Sequence, residues 1–376
     1  MFAYLFVAFL FILMDGLGVK LTKATRNILL GYIAIFLCAG YMCGSDWRGY
    51  ELEYGTFDPL LSLEEPGYHL ISSFAYNIGL GFWPFMILLK FLCLTIFYNF
   101  LKKFSDNRDQ YIIYLFFFSF YGIYLFIDAP IRNVCAITLF LLGLLLQERH
   151  PICPWLFTFL AVFFHVSAII GVLFLLIQKL NIKTIVYVIA YIVAIYISIN
   201  SNIITDSVGN TIVGQYLFAE KIDRYIDQGF GQESMTSSAF SLGELLKIVL
   251  FFIVVRYRDG IEKLNHGRFI FAGAMLFFII AKMGAGLDVL MRFGCYFSVF
   301  YALVMVNVAR VFAIKLRKTF RICVILLALF QTYATVTFDY RFVPYTNYIV
   351  YVVLHDQLPS FDQRSKYNHT HSPYKK

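Results

Sequence analysis

The stretch YLFIDAPIRNVCAITLFLLGLL, residues 124–145, joins two long apolar runs through the polar junction DAPIR. An acid, a proline and an arginine therefore stand between two segments that favour hydrocarbon over water. The whole chain of 376 residues is 60% hydrophobic, 19% aromatic and only 14% charged, and its mean hydropathy is +0.72. A soluble fold of this length could not bury so much apolar surface, so the sequence predicts an all-α protein that crosses a membrane many times.

The net charge of +8 comes from Lys and Arg clusters that lie between apolar runs rather than along one face. Such clusters are typical of cytoplasmic loops under the positive-inside rule, and they do not indicate nucleic-acid binding. A spanning helix needs about 20 apolar residues, and fewer where the bilayer thins. The predicted spans are residues 2–14, 28–43, 84–101, 111–127, 131–146, 184–199, 241–256, 268–283, 289–309 and 321–338.

Residues 152–178 are assigned by counting membrane crossings, because the number of crossings decides on which side each later loop lies. If this segment crossed the membrane once, every later basic cluster would lie on the outer side, against the positive-inside rule. We therefore predict a re-entrant hairpin of two half-membrane helices that turns at FFHVSA, with His165 at its tip. The prediction is about 11 to 12 membrane segments in a single transmembrane domain, residues 1–340, followed by an outer-face segment and C-terminal tail, residues 341–376.

Two polar loops, residues 44–83 and 200–240, are predicted on the face opposite the cytoplasm. Apolar residues at helical spacing from Tyr68 to Leu80 predict an amphipathic helix along the membrane surface. His165 points toward the same face. The charged residues that this face collects are Asp46, Arg48, Glu65, Asp128, Arg132, Asp288, Arg292 and Arg341.

The DAPIR junction combines helix-start signals with an arginine that those signals do not explain. Asp128 stands where the N-cap of the next helix is expected, and Pro130 suits its first turn. Arg132 opposes the helix dipole there, so it needs an anionic partner, either a protein carboxylate or a ligand phosphate. Arg292 repeats the arrangement in a later segment, where a salt bridge to Asp288 is the alternative to ligand binding. Two such arginines suit a pyrophosphate, because guanidinium groups bind it bidentately.

His165 is the candidate general base. An imidazole within the membrane is costly unless it faces water or a polar partner, and a neutral imidazole can accept a proton from a hydroxyl group. A hydrogen-bonded core histidine is the alternative. The sequence contains no Walker loop, GxSxG, HExxH or DxD motif, so ATP hydrolysis, serine hydrolysis, zinc peptidase activity and the common metal-dependent nucleotide-sugar site lack support.

Six motifs follow one another along the chain: GSDWRGY, EPGYHLISSF, APIRNVCAITLFLLGLL, FFHVSAII, MRFGCYF and FVPYTNY. In order and spacing, over most of the chain, they resemble the EpsG family of Wzy-like polysaccharide polymerases. One departure is Asn133, where the family commonly has Gln. The resemblance implies an inner-membrane glycosyltransferase with a GT-C-like helical bundle, which joins undecaprenyl-pyrophosphate-linked oligosaccharides into O-antigen or exopolysaccharide on the periplasmic face.

The resemblance also implies roles for particular residues. Arg132, His165 and Arg292 fall on its characteristic positions, and Asp46 and Glu65 fall on its outer-loop positions. We expect His165 to take the proton of the acceptor hydroxyl, with Glu65 or Asp46 as the alternative base. No metal or cofactor is required. The residues expected to bind pyrophosphate or sugar are Arg132, Arg292, Arg48, Asp128 and Arg341.

Two other classes of protein remain open from the sequence. A flippase or transporter of lipid-linked oligosaccharide would more often contain internal repeats, which we do not find. An O-antigen ligase-type transferase or a membrane acyltransferase would share the topology and a histidine. The expected partners are the lipid-linked oligosaccharide donor and acceptor, the lipid bilayer and a chain-length regulator protein, whereas nucleic acid is not expected. The expected location is the bacterial inner membrane, with the active site on the periplasmic side.

Overall fold

The computed structural model describes residues 1–18, 21–56, 65–106, 108–200, 241–285, 288–355 and 357–373. Most of the predicted outer loop 200–240, and residues 57–64 of the loop 44–83, lie outside the described residues. The chain forms two compact units, Met1–Ile169 with Phe312–Lys376, and Ile170–Val311. We call them the first unit and the second unit. The predicted domain boundary at residue 340 stays a prediction.

Helices dominate both units. In the first unit the chain begins with α1 (Phe2–Leu17), α2 (Lys23–Cys38), α3 (Trp47–Glu53), α4 (Pro66–Asn77), α5 (Phe82–Phe104), α6 (Gln110–Phe117), α7 (Ile131–Leu146) and α8 (Cys153–Val162). The second unit contains α9 (Ile170–Ile177), α10 (Thr184–Ile199), α11 (Leu242–Arg256), α12 (Arg258–Glu262), α13 (Gly267–Gly284), α14 (Asp288–Cys295) and α15 (Ser298–Val311). The chain then returns to the first unit with α16 (Ile314–Phe338), α17 (Tyr348–Leu354) and α18 (Phe361–His371).

Three of the described helices are long and apolar enough to cross a membrane, namely Phe82–Phe104, Gly267–Gly284 and Leu316–Phe338. A further six apolar helices in the described part of the chain have 10–17 residues. Together with the apolar composition, these helices make the chain an all-α multi-pass membrane protein, as the sequence predicts. The spans predicted at 131–146 and 184–199 coincide with α7 and α10.

The span predicted at residues 289–309 is interrupted. Residues 289–309 do not form a single helix, because α14 ends at Cys295 and α15 begins at Ser298. Backbone hydrogen bonds close the turn between them, from Tyr296 N–H to the carbonyl of Phe293 and from Phe297 N–H to that of Gly294. The residues of this turn are as apolar as the flanking helices, so hydropathy alone does not mark the break.

The segment after α6 contains two π-helical turns, Phe118–Gly122 and Tyr124–Asp128. The buried side chain of Lys90, on α5, donates to the carbonyl oxygen of Phe126 at 3.2 Å. This hydrogen bond satisfies a charged group inside the helical bundle and fixes the backbone two residues before Asp128. Single π-turns within helices are frequent at functional sites.

A small antiparallel sheet joins distant parts of the first unit. Strand β1 (Gly40–Tyr41) pairs with β2 (Thr346–Asn347), with Gly40 opposite Asn347 and Tyr41 opposite Thr346. The sheet therefore fixes the segment that follows α16 at the end of α2.

The predicted break within residues 152–178 is present. Helix α8 ends at Val162, His165 lies in the turn that follows, and a 3₁₀ turn covers Val166–Ile169. His165 is buried within this turn. The predicted amphipathic helix is also present as α4. Insertion of the hairpin into the membrane, and the position of α4 along the membrane surface, stay predictions.

Candidate functional site

In the first unit the carboxylate of Glu65 contacts both Arg132 and His165, the two side chains for which the sequence predicts a role in the reaction. Oε2 of Glu65 accepts a hydrogen bond from Nη1 of Arg132 at 3.2 Å, and its Oε1 lies 3.1 Å from Nδ1 of His165. Nη2 of Arg132 also lies 2.5 Å from Oε2 of Glu53. We call Arg132, Glu53, Glu65 and His165 the Arg–Glu–His cluster. Its members come from the end of α3, the start of α4, the first turn of α7 and the turn after α8.

Close backbone packing places Glu65 beside His165. Glu65 precedes α4 with a left-handed φ of 53°, and Pro66 occupies the first turn of that helix. The N–H of Gly67 donates to the carbonyl of Phe163 at 2.9 Å. A Cβ atom on Gly67 would stand 2.7 Å from the ring of Phe164. Only glycine therefore allows the first turn of α4 to abut the turn that carries His165.

Arg132 is held by its backbone and by aromatic rings. Ala129 adopts a left-handed φ of 53° and turns the chain into α7. The guanidinium carbon then lies 5.2 Å from the ring centre of Tyr50 and 5.4 Å from that of Tyr68. Cation–π contacts of this kind stabilise a guanidinium group that is partly removed from water. The next residue, Asn133, accepts a hydrogen bond from Ser167 at 3.3 Å, which ties α7 to the 3₁₀ turn after His165.

The charges of the cluster do not leave Arg132 as an open anion receptor. One guanidinium group faces the two carboxylates of Glu53 and Glu65. Of these, Glu53 is the more accessible, because its side chain is 46% exposed and that of Glu65 is 11% exposed. The sequence left two anionic partners open for Arg132, a protein carboxylate and a ligand phosphate. In the structure its partners are the carboxylates of Glu53 and Glu65. Among the described residues, no group of three or more His, Cys, Asp or Glu side chains has metal-binding geometry.

Two buried side chains of α4 next to the cluster are neutral at physiological pH. Burial, and secondly the positive charge of Arg132, lower the pKa of His69 to about 4, although Glu65 acts in the opposite direction. Burial also raises the pKa of Tyr68 well above its usual value. His69 is therefore an uncharged neighbour of the cluster rather than a second cation.

A second group of charges surrounds Asp128. Its Oδ1 accepts hydrogen bonds from the N–H of Ser45 at 2.5 Å and from the Ser45 hydroxyl at 3.1 Å, and its Oδ2 lies 3.5 Å from Nη1 of Arg341. A Cβ atom on Gly44, whose φ is +80°, would stand 2.5 Å from the Cα of Asp128. We call Asp128, Ser45, Arg341 and its partner Asp339 the Asp128 cluster.

The predicted N-cap role of Asp128 is wrong. The N-cap of α7 is Pro130, without a side-chain hydrogen bond. The physical reason is the left-handed conformation of Ala129, which reverses the chain so that Asp128 binds the loop after α2 instead of the start of α7.

The remaining predicted residues of the first unit lie in or beside the Asp128 cluster. Arg341 pairs with Asp339 at 2.6 Å, and this hydrogen bond raises the pKa of Arg341. Arg48 donates to the carbonyl oxygens of Gly44 at 2.9 Å and Ser365 at 2.7 Å. Burial lowers the pKa of Arg48, and Asp46 is among the charges that oppose this effect. The structure thus brings Glu65, His165 and Arg132 together. Of the other four predicted residues, Asp128 and Arg341 belong to the Asp128 cluster, and Asp46 and Arg48 lie beside it.

Arg292 lies in the second unit, in the last turn of α14. The argument that it opposes a helix dipole is therefore wrong, because a cation near the C-terminal end of a helix is stabilised by the dipole. The side chain of Asp288, its predicted alternative partner, lies outside the described residues.

Sequence reasoning missed Glu53, and it missed the ion pair of Arg364 with Glu51 on the same helix, α3. Nη2 of Arg364, on α18, lies 2.7 Å from Oε1 of Glu51 on α3. Burial raises the pKa of Glu51, and Arg364 acts against this effect. The acidic character of ELEYG is visible in the sequence, but which of its acids faces Arg132 depends on how α3 is docked.

The geometry defines a multi-pass helical membrane protein with a histidine, a glutamate and an arginine assembled at one end of a helical bundle. The family model of EpsG matches residues 2–347. The chain therefore belongs to the EpsG family, a polysaccharide polymerase-like family, and the resemblance drawn from the sequence motifs is confirmed. The matched range contains every residue of the Arg–Glu–His cluster. No curated protein and no solved structure matches the chain.

Proposed function

We propose that this protein is a membrane glycosyltransferase of GT-C-like type. It joins undecaprenyl-pyrophosphate-linked oligosaccharide repeat units into O-antigen or exopolysaccharide on the periplasmic face of the bacterial inner membrane. The observation that carries the proposal is the contact of Glu65 with both His165 and Arg132. Membership of the EpsG family supports a polymerase role.

In this proposal His165 is the general base and Glu65 orients it. The Glu65 carboxylate, 3.1 Å from Nδ1, favours the tautomer with the proton on Nδ1, which leaves Nε2 as the acceptor nitrogen. The hydroxyl oxygen of the acceptor sugar attacks the anomeric carbon of the donor, and Nε2 takes the hydroxyl proton. The new C–O bond forms as the bond from the anomeric carbon to the pyrophosphate oxygen breaks, and undecaprenyl pyrophosphate leaves with the electron pair.

Arg132 has two roles in the proposal. Its contact with Glu65 holds the carboxylate that orients His165. Its contact with Glu53 is exchangeable, because Glu53 is the half-exposed partner and a pyrophosphate oxygen can replace its carboxylate. The guanidinium group then stabilises the negative charge that develops on the leaving group.

The test uses the purified full chain in lipid vesicles together with a purified lipid-linked repeat unit. The proposal predicts a ladder of products that differ by one repeat unit, and loss of the ladder in His165→Ala. His150→Ala is the matched control, because His150 is an exposed histidine in the loop between α7 and α8, at the opposite end of α7 from Arg132. A flippase would move the substrate without making longer chains, and an O-antigen ligase-type transferase would need a different acceptor. Either result, obtained with active protein, contradicts the proposal.

A further inference from the structure

Helix α17 is apolar, and none of its residues is buried in the protein. It has the sequence YIVYVVL and contains no charged residue. Its aliphatic side chains are exposed by 45% at Ile349, 54% at Val350, 45% at Val352, 77% at Val353 and 70% at Leu354. Such a surface is unfavourable in water and indicates that something apolar covers it.

The contacts of the first residue place the start of α17 at one end of the bundle. The N–H of Tyr348 donates to the carbonyl of Ala39, just after α2, at 2.8 Å. The ring of Tyr348 stacks on that of Trp83, with ring centres 6.1 Å apart. Trp83 lies in the first turn of α5, and residues 339–347 connect α17 to the last residue of α16, Phe338. Both α5 and α16 contain segments long enough to span a membrane. Helix α17 therefore begins beside the first turn of one span-length helix, and nine residues separate it from the end of another.

The distribution of side chains around α17 favours lipid over a protein partner. Tyr348 and Tyr351 lie one turn apart, and both contact Tyr41 of the bundle, with ring centres 5.4 and 5.2 Å apart. The five aliphatic residues cover the rest of the circumference. A helix that is apolar all round fits hydrocarbon, whereas a protein partner covers one face. Tyrosine and tryptophan rings at its first turn are typical of the membrane–water interface.

We propose that α17 is embedded in the lipid interface and anchors the C-terminal segment to the membrane surface. Its seven residues correspond to about 10 Å of helix, which is too short to cross the hydrocarbon core of about 30 Å. The chain leaves the lipid at His355 and continues into polar α18, which binds α3 through Arg364 and Glu51. The anchor does not depend on the reaction proposed for the Arg–Glu–His cluster.

The test measures spin-label accessibility in nanodiscs made of phosphatidylethanolamine and phosphatidylglycerol. Cys323 is exposed and Cys153 is partly buried, so both are changed to Ser in the full chain. Nitroxide labels are then attached in detergent to Val353→Cys and, in separate samples, Val350→Cys. Lys366→Cys, on the exposed face of polar α18, is the matched control.

The proposal predicts that oxygen, which partitions into lipid, relaxes the labels at 350 and 353 more strongly than a water-soluble nickel chelate does. The control label at 366 should show the reverse order. Stronger relaxation by the nickel chelate at 353 would place α17 in water and overturn the proposal. Low accessibility to both reagents at 350 and 353 would also overturn it, because it would show burial against protein, including a second copy of this chain.

Discussion

Oε1 of Glu65 lies 3.1 Å from Nδ1 of His165, while Oε2 of the same carboxylate accepts a hydrogen bond from Arg132. Two of the three residues that the sequence left as candidate bases, His165 and Glu65, are therefore neighbours in one cluster. A carboxylate beside Nδ1 favours the tautomer with the proton on that nitrogen, so we expect the two side chains to act as a unit.

We expect the effects of the two residues on turnover to be non-additive. His165→Ala should lower the rate of chain elongation by roughly two to four orders of magnitude, the range of a positioned general base. Glu65→Gln should lower it less, because the imidazole remains but loses its orienting charge. The double variant should be no slower than His165→Ala alone, since Glu65 then has no base to orient. Initial rates of ladder formation in lipid vesicles give all three values.

Two results would contradict this prediction. If the double variant loses the product of the two single effects, the residues act independently. If His165→Gln keeps the full rate, the role of the base moves to Glu65 or Asp46. Detergent-solubilised variants should elute as the wild type does, which separates loss of chemistry from loss of folding.

Glu53 and Arg132 should respond in opposite directions to substitution. Glu53→Gln removes the half-exposed carboxylate that occupies Nη2 of Arg132, so the donor should bind more tightly and its KM should fall. Arg132→Ala should abolish elongation, and Arg132→Lys should restore it poorly because lysine lacks the bidentate fork. Steady-state kinetics with the lipid-linked donor measure these effects. A raised donor KM in Glu53→Gln would mean that Glu53 holds Arg132 in place rather than competing with the pyrophosphate.

Gly67 controls the distance between Glu65 and His165. In Gly67→Ala the new Cβ atom would stand 2.7 Å from the ring of Phe164 and 3.1 Å from the carbonyl oxygen of Phe163. The first turn of α4 must then move away, so turnover should fall in the manner of Glu65→Gln. Gly49→Ala is the matched control, because nothing lies within 4 Å of the Cβ that it adds. Equal rates in the two alanine variants would show that the turn adjusts without separating the cluster.

Much of the fold follows from hydropathy, and much of the site does not. Apolar runs predict α7 and α10, and the count of membrane crossings predicts the break that contains His165. The break between α14 and α15 is missed because its residues are as apolar as the helices. These differences arise because hydropathy measures the preference of a segment for lipid, and an irregular turn can share that preference.

The site shows a similar limit. Arg132 and His165 are recognisable because each is polar in an apolar context. Asp128 is misassigned because the left-handed Ala129 cannot be inferred from an alanine. Glu53 is missed because its role depends on the docking of α3, which is set by Arg364, more than 300 residues later in the chain.

The low pKa of His69 makes the stability of the protein depend on pH. Burial lowers the folded-state pKa of His69 to about 4, whereas an unfolded histidine titrates near 6.5. Between these values the unfolded chain binds the proton and the folded chain does not, so this residue makes folding less favourable as the pH falls from about 6.5 towards 4. Above about 6.5 it has no effect on the pH dependence.

Thermal unfolding in detergent at pH 7.5, 6.0 and 4.5 measures this dependence. The wild type should lose more of its Tm between pH 7.5 and 4.5 than His69→Gln does, because glutamine does not titrate. His150→Gln, which alters an exposed histidine, should behave as the wild type. Parallel pH curves for the wild type and His69→Gln would show that His69 is protonated as readily in the folded protein as in the unfolded chain.

The pair of Arg364 and Glu51 should determine how α3 is docked and hence where Glu53 lies. The side chains of Arg364 and Glu51 are 11% and 17% exposed, and their charged atoms are 2.7 Å apart. Arg364→Ala leaves Glu51 partly buried without its cation, which should destabilise the folded state by about 1–3 kcal/mol. Lys366→Ala, on the exposed side of the same helix, should have no effect.

A variant in which Glu51 and Arg364 are both uncharged distinguishes the docking of α3 from the effect of the two charges. Replacing both residues, as Glu51→Leu with Arg364→Leu, removes the buried carboxylate together with its partner, and such exchanges are often neutral for stability. The double variant should therefore recover most of the Tm that Arg364→Ala loses. If the ion pair sets the position of Glu53, the donor KM of the double variant should differ from that of the wild type. Apolar packing does not reproduce the orientation of an arginine–carboxylate contact. Recovery of both Tm and donor KM would show that α18 holds α3 by packing alone.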